Sequence, residues 1–267
     1  MNYIVIPAYQ PDNKLIKLIE KIHEKSDFRI LVIDDGSSSK CQNIFDKVEQ
    51  YATVLRHQVN QGKGQALKTA FTYIQQQNSY GTVVTADADG QHKIWDIFRT
   101  ANKASENPNK LILGVRAFTG KVPLRSRFGN SLTKALFKIQ TGVEVADTQT
   151  GLRAFTTNLI PFMLKIEGNR YEYEMNMLLE ATKEYQILEV PIETVYINDN
   201  EGSHFRPIKD GLMIYKNIFK FALSSLSSFV VDYLVYAIAI LFLPTAPTSF
   251  RIFLANGLAR VTSSIFN

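Results

Sequence analysis

The sequence predicts an α/β protein, a mostly parallel sheet flanked by helices, followed by an amphipathic helix and a transmembrane helix. Three observations carry that prediction. Short apolar runs alternate with amphipathic stretches up to about Phe155, the pattern of β-α-β units whose strands are buried on both faces. Polar segments, several containing glycine, follow the strands in turn, and in doubly wound sheets ligands sit at the carboxyl ends of strands. Near the other end, LSSLSSFVVDYLVYAIAILFL (residues 223–243) is long enough, at about 1.5 Å per residue, to cross a bilayer core of about 30 Å.

The elements follow in order. NYIVIPAY is a β-rich run and predicts the first strand. Asn13 to Lys25 places Leu15, Ile16, Leu18, Ile19 and Ile22 on one helical face, and FRILVID returns to strand. Ser39 is placed to cap a helix running through Gln50, TVLR makes the third strand, and Gly62 to Gln77 the third helix. GTVVTA is the fourth strand, Trp95 to Ser105 is helical, and KLILGVR is the fifth strand. Later, DGLMIYKNIFKFAL reads as an amphipathic helix lying at a membrane interface. Lys209, Lys216 and Lys220 precede the apolar span and, by the positive-inside rule, set its start and the domain before it in the cytoplasm. A second apolar stretch, Phe250 to Phe266, follows the turn-like PTAPTS. Asp232 and Arg260 within these stretches are costly in lipid and need partners or a polar path. The expected organisation is a domain over 1–207, an interfacial helix over 208–222, and a membrane part over 223–267 with one full span and the start of a second.

Composition narrows the partners. Of 267 residues, 45% are hydrophobic and 21% charged, a globular balance that buries a real core. The formal charge of +5 favours anionic partners, and on charge alone nucleotides, nucleic acid and acidic lipid headgroups all qualify. A single cysteine, Cys41, excludes an internal disulfide framework and a thiolate zinc cluster, which fits a reducing compartment. MNYIVIPAYQP has no basic n-region or long apolar core, so no signal peptide is expected.

The loops after the five strands are PAYQ, DDGSSS (Asp34 to Ser39), NQGKG (Asn60 to Gly64), DADGQH and VRAF. Asp and Gly are ordinary turn residues, so each loop alone reads as a turn. Their convergence on one sheet edge makes a candidate site. NQGKG lacks the Walker spacing, yet its glycines let a helix N-terminus approach an anion. Asp87 and Asp89, one residue apart on an extended segment, face the same side and can share a hard divalent cation that also grips a diphosphate. Magnesium or manganese suits such oxygen ligands, and zinc is disfavoured because only His92 offers a nitrogen. His92 itself reads more simply as a solvated loop histidine. A metal here neutralises charge on a departing nucleoside diphosphate.

The ordered set IPAYQP, VIDDGSSS, NQGKGQAL, DADGQH, GVRAF, SRFGN, DTQTGLRAF, YEYEM and GSHFRP resembles family 2 glycosyltransferases of the GT-A (Rossmann-like) fold. Within them it is similar to the dolichyl-phosphate mannose synthase-like enzymes that charge a polyprenyl phosphate, from about Asn2 to Pro207. The tail, SSFVVDYLVYAIAI with LANGLARVTSSIFN, is similar to the first half of the GtrA-like membrane domain. The resemblance implies that Pro7, Ala8 and Tyr9 line a nucleotide pocket, that Asp35 holds the base edge with Asp34 beside it, and that Gly62 and Lys63 flank the nucleotide. Asp87, Asp89 and Gln91 match a DxDxQ pattern that handles metal and diphosphate, with Asp89 in a catalytic role. Arg116, Ser126, Arg127, Arg153, Ser203 and Arg206 fall in motifs that surround the acceptor phosphate or the diphosphate. Asp147 occupies the position near the sugar, either as a base or as a cap before the LRAF strand, and Glu174 is a positioning acid.

The implied activity is inverting, metal-dependent transfer of a hexose from a nucleotide sugar, UDP-glucose or UDP-N-acetylglucosamine favoured, to undecaprenyl phosphate on the cytoplasmic face of the cell membrane. Nucleic acid is not an expected partner, and a homo-oligomer such as a tetramer fits the tail. A phosphate monoester, with a second pKa of about 6, is already ionised at neutral pH and needs arginines to hold it more than a base. The Q-x-x-R-W element of processive polysaccharide synthases is missing, because Gln149 and Arg153 are spaced wrongly and Trp95 is the only tryptophan. Two alternatives stay open: a protein, teichoic acid or glycan acceptor, and a non-catalytic nucleotide-binding partner of a membrane transporter.

Overall fold

The computed structural model describes residues 1–116, 124–193, 223, 226–238, 247, 249–250, 252–253 and 256–257, with the side chains of 124–130 and 132 outside that description. The elements are β1 (Tyr3–Ala8), α1 (Asn13–Lys25), β2 (Arg29–Asp34), α2 (Gln42–Val48), β3 (Thr53–Arg56), α3 (Lys63–Gln76), β4 (Thr82–Thr85) and α4 (Ile94–Glu106). They continue with β5 (Lys110–Arg116), α5 (Leu124–Thr141), β6 (Arg153–Thr156), α6 (Ile160–Lys165), α7 (Glu172–Glu184) and β7 (Gln186–Ile192). Helix α1 shows how sequence fixes an element here. Asp12 caps it by accepting the Lys14 N–H at 2.7 Å, and Leu15, Leu18, Ile19 and Ile22, spaced for one face, are all buried. Each such side chain contributes about 1.5–3 kcal/mol on burial. The helix expected to start with a Ser39 cap instead begins as a 3-10 turn over Ser39–Cys41 without a side-chain cap bond, and α2 ends at Val48.

The sheet runs β3-β2-β1-β4-β6-β5-β7. Every neighbouring pair is parallel except those of β6, which lies antiparallel to both β4 and β5. The carboxyl ends of β1, β2, β3, β4 and β5 therefore share one edge with the amino end of β6, where Thr85 stands opposite Arg153. One face of the sheet offers Ile4, Ile6, Ile30, Val32 and Val84 to a core completed by Leu15, Ile19, Phe45, Ile97 and Ala101 of α1, α2 and α4. The alternate residues Val5, Leu31 and Ile33 face the other way, toward α3, which contacts β1 and β2. There Phe71 of α3 meets Phe155 of β6 edge-on, ring centroids 5.4 Å apart.

The chain divides into two compact units, Met1–Gly211 and Leu212–Asn267. In the second, residues 226–238 are helical, and Leu226, Phe229, Tyr233, Leu234 and Ile238 are more than half exposed. No helix among the described residues is long and apolar enough to cross a membrane. The expected span is described only in part, since residues 224–225 and 239–243 lie outside the described residues, as do the amphipathic stretch 210–222, Lys209, and Arg260.

Candidate active site at the carboxyl edge of the sheet

The edge is built by loops that hold one another. After β1, the Gln10 N–H donates to Ser37 Oγ at 2.9 Å, and Ser38 Oγ donates to Gln10 Oε1 at 2.9 Å, tying the first loop to the second. Asp34, buried at the end of β2, accepts the Ser37 N–H at 2.8 Å and lies 4.0 Å from Arg56 Nε. Ala8 is buried in register with Asp34, Pro7 is half-buried, and Tyr9 presents an exposed ring.

Asp35 has an internal task that its sequence motif did not reveal. Its Oδ1 pairs with His57 Nδ1 at 2.8 Å and accepts the Gln61 N–H at 2.9 Å, while Oδ2 accepts the Gly62 N–H at 2.8 Å. His57 is held in turn by Thr69 Oγ1, 2.9 Å from its Nε2. The carboxylate thus shapes the loop that starts α3, and of roughly four lone-pair sites one remains, on Oδ2. Gly62 sits at φ +102°, and a Cβ there would come within 2.4 Å of the Asn169 carbonyl oxygen. Only glycine lets this loop seat against the start of α7, where the Gln65 N–H donates to Asn169 O at 2.9 Å and Arg170 Nη1 to Asn60 Oδ1 at 3.2 Å.

Lys63, the first residue of α3, reaches across the edge. Its Nζ donates to Asp87 Oδ1 at 2.7 Å and lies 2.9 Å from Glu174 Oε2, joining the loops after β3 and β4 to helix α7. His92 is buried, not solvated: its Nε2 stands 3.3 Å from Asp87 Oδ2, and its Nδ1 has no hydrogen-bond partner among the described residues. Asp89 Oδ1 accepts the Gln91 N–H at 2.9 Å, so Gln91 supports the acidic pair through its backbone. Gly151 explains why Asp87 fits: a Cβ there would fall 2.4 Å from Asp87 Oδ2, so the carboxylate rests on bare backbone. DTQTGLRAF contains that glycine, but nothing local in the sequence places it against Asp87.

The charges are unequal. Burial alone would raise the Asp87 carboxyl, but Lys63 and His92 outweigh it and hold the group well below the usual carboxylate range. Burial likewise disfavours charged Lys63, and the carboxylates of Asp87 and Glu174 override it, holding the ammonium above its ordinary value. Asp89 goes the other way, pushed up by burial first and by the neighbouring Asp87 charge second. No group of three His, Cys, Asp or Glu side chains suited to a metal occurs among the described residues. Two carboxylates nonetheless suit magnesium or manganese, which complete their shell with phosphate oxygens and water, and a cation would relieve the like-charge strain on Asp89.

Two expected roles change on burial. Asp147, read as a candidate base beside the sugar, is 0% exposed. Its oxygens accept Arg116 Nε at 2.5 Å and Nη2 at 2.9 Å in a two-point clamp, and Oδ1 also takes the Gln149 N–H at 3.1 Å. A sealed, ion-paired carboxylate does not take a proton from a substrate, so Asp147 positions Arg116. Arg153, read as a phosphate ligand, is 1% exposed within β6 and cannot reach an anion in solvent. It donates from Nε to Thr150 O at 3.0 Å and from Nη1 to Glu174 O at 2.5 Å, Nη2 has no partner among the described residues, and the guanidinium lies beneath the acidic edge. Ser203 and Arg206 lie outside the described residues, as do the side chains of Ser126 and Arg127 in α5.

An acidic pair behind β4 of a parallel sheet, with a short antiparallel strand completing the edge, defines a GT-A-like α/β fold. The chain belongs to Glycosyl transferase family 2, whose profile matches residues 3–163. It is 26% identical over 215 residues to the UDP-N-acetylglucosamine–dolichyl-phosphate N-acetylglucosaminyltransferase of Methanococcus voltae, covering 73% of this chain and 85% of that protein. It is 25% identical over 252 residues to the dolichyl-phosphate beta-glucosyltransferase of Saccharomyces cerevisiae, covering 80% and 72%. Among solved structures it is similar to glucosyl-3-phosphoglycerate synthase from Mycobacterium tuberculosis in complex with Mn2+, UDP and glucosyl-3-phosphoglycerate, with a TM-score of 0.62, 18% identity, and coverage of 84% and 79%. At that identity the likeness shows the fold. The GtrA-like resemblance of the tail lies beyond the family match and gains no support from it.

Proposed function

We propose that the protein transfers a hexose from UDP-glucose or UDP-N-acetylglucosamine to undecaprenyl phosphate, with inversion and with a divalent cation. The observation that carries this reading is the Asp87–Lys63–Glu174 bridge beside Asp89, a charged centre at the strand ends where a nucleotide diphosphate is held in such sheets. The relatives support the acceptor class, since two are named for dolichyl phosphate. A third, from Shewanella sediminis, is named an undecaprenyl-phosphate 4-deoxy-4-formamido-L-arabinose transferase, and the match covers 50% of its length.

In this reading the residues divide the work. Tyr9 and Pro7 flank the base, Asp35 shapes the loop at its edge from beneath, and Gly62 brings the α3 N-terminus to the diphosphate. Asp87 and Asp89, braced by Gln91, hold magnesium or manganese, which as a Lewis acid supplies charge neutralisation for the leaving diphosphate. Arg116, aligned by Asp147, holds the acceptor phosphate together with Ser126, Arg127, Ser203 and Arg206. The attacking phosphate oxygen is already ionised at neutral pH, so no base is required, in keeping with a sealed Asp147. The exposed apolar residues of 226–238 favour attachment of the second unit to a membrane, with the catalytic unit on its cytoplasmic face.

Two results follow. Asp89 must be ionised to hold a cation, and its folded pKa is raised. Mn2+-dependent affinity for a UDP-sugar, whose diphosphate has no terminal monoester to titrate at about pH 6, is therefore full above that pKa and lost as pH falls through it, at a higher pH than the value of about 3.9 for an ordinary aspartate sets. Calorimetric titration of UDP-glucose or UDP-N-acetylglucosamine with Mn2+ between about pH 4 and 7 checks this, and a loss confined to the ordinary aspartate range would contradict it. In a thermal-shift panel of UDP- and GDP-sugars with Mn2+, UDP-glucose or UDP-N-acetylglucosamine is expected to raise Tm by mass action. A panel in which no sugar nucleotide shifts Tm removes the donor-binding reading.

A further inference from the structure

Lys63 contacts carboxylates from two separate elements of the candidate site, Asp87 after β4 and Glu174 in α7, at 2.7 and 2.9 Å. Its ammonium is seated on Asp87 Oδ1, and a divalent cation held by the same carboxylate would be strongly repelled by an ammonium left there. Glu174 gives the ammonium a second seat: Oε2 holds it, while Oε1 is buried with no partner among the described residues and offers a further acceptor. The backbone around Lys63 is anchored, since Gly62 and Gly64 pack against Asn169 and Tyr173, so the ammonium can shift at the end of a long stem while the loop stays in place.

We infer that Lys63 is an exchangeable counter-cation: it neutralises Asp87 in the donor-free protein and excludes free metal. It yields Asp87 only when metal arrives with a nucleotide diphosphate, withdrawing onto Glu174 and donating to the incoming phosphate. The exchange conserves charge at the edge, because the metal brings positive charge and the diphosphate brings the negative charge that Lys63 then meets. It makes metal and nucleotide binding mutually dependent, by the reciprocity of linkage. It also gives Glu174 a positioning role as the alternative seat. The inference rests on the proposed donor reading.

Mn2+ binding to the full chain in detergent, followed by the loss of the free-ion EPR signal with and without UDP, tests both separately. Wild type is expected to bind Mn2+ weakly alone and at least about tenfold more tightly with UDP. Lys63→Met is expected to bind Mn2+ without UDP at least about tenfold more tightly than wild type does, with most of the UDP coupling gone. Lys63→Arg, which keeps the charge, is expected to restore exclusion of free metal. If wild type takes up no Mn2+ with UDP, the donor reading fails and the exchange falls with it. If wild type behaves as expected but Lys63→Met gains no metal-only affinity, the exchange alone is overturned. Should Lys63→Met fail to fold, the isosteric Glu174→Gln decides: metal-only binding stays weak and UDP-coupled Mn2+ affinity falls several-fold, whereas unchanged coupling overturns the exchange.

Discussion

Asp87→Asn is expected to lower the rate of sugar transfer by at least about a thousandfold while leaving the fold in place. The substitution keeps size and shape, so the carboxamide still rests on Gly151, whose missing Cβ makes the space. It removes the charge that anchors the metal and the diphosphate, and with it the main partner of Lys63. Lys63 keeps Glu174, so no charge is left buried and alone, and Tm should fall by no more than about 4 °C. Initial rates with UDP-sugar and polyprenyl phosphate, set beside the melting curve, check both halves. Activity within tenfold of wild type would move the chemistry away from the Asp87 carboxylate.

Arg153→Met is expected to have the largest effect on stability. The guanidinium is enclosed in β6 and donates to the Thr150 and Glu174 carbonyls. Burial pushes its pKa down, and the carboxylates of Glu174 and Asp147 offset that, so the charge is held in place by the acidic edge above it. Methionine fills most of the volume but removes the donor to the Thr150 carbonyl and the positive charge beneath the carboxylates of Glu174 and Asp147. Breaking such a buried arrangement from one side costs about 3–5 kcal/mol. For a chain of this size that is a drop in Tm of roughly 10 °C. A melting point within 2 °C of wild type, on the order of half a kilocalorie or less, would show that Arg153 carries no such load.

These two residues also mark where sequence reading succeeds and stops. The place of Asp87 at the strand-end edge was legible because its signal is local: an acidic pair directly after an apolar strand. The strands TVLR and KLILGVR and the helix Asn13–Lys25 were legible for the same reason, since periodicity and capping act within a few residues. The burial of Arg153 was not legible because its environment is set by long-range pairing. RAFT is four residues long, and its place between β4 and β5, with Arg153 opposite both Thr85 and Leu113, depends on register that no local signal encodes. Burial then turns an arginine expected to bind phosphate into a support. Asp147 changed role by the same mechanism, through its clamp on Arg116. Gly151 was passed over and His92 was read as a solvated loop residue because each meets Asp87 through the fold, from a distant loop in one case and after a tight turn in the other.

The measurement that tests the central claim most directly is transfer itself, with the acceptor phosphate as the variable. Full-length protein in detergent, given Mn2+ and radiolabelled UDP-glucose or UDP-N-acetylglucosamine, is expected to move label into the organic phase with undecaprenyl phosphate and not with undecaprenol. Labelled lipid formed equally from the alcohol, or label appearing only on soluble glycan or protein acceptors, would contradict it.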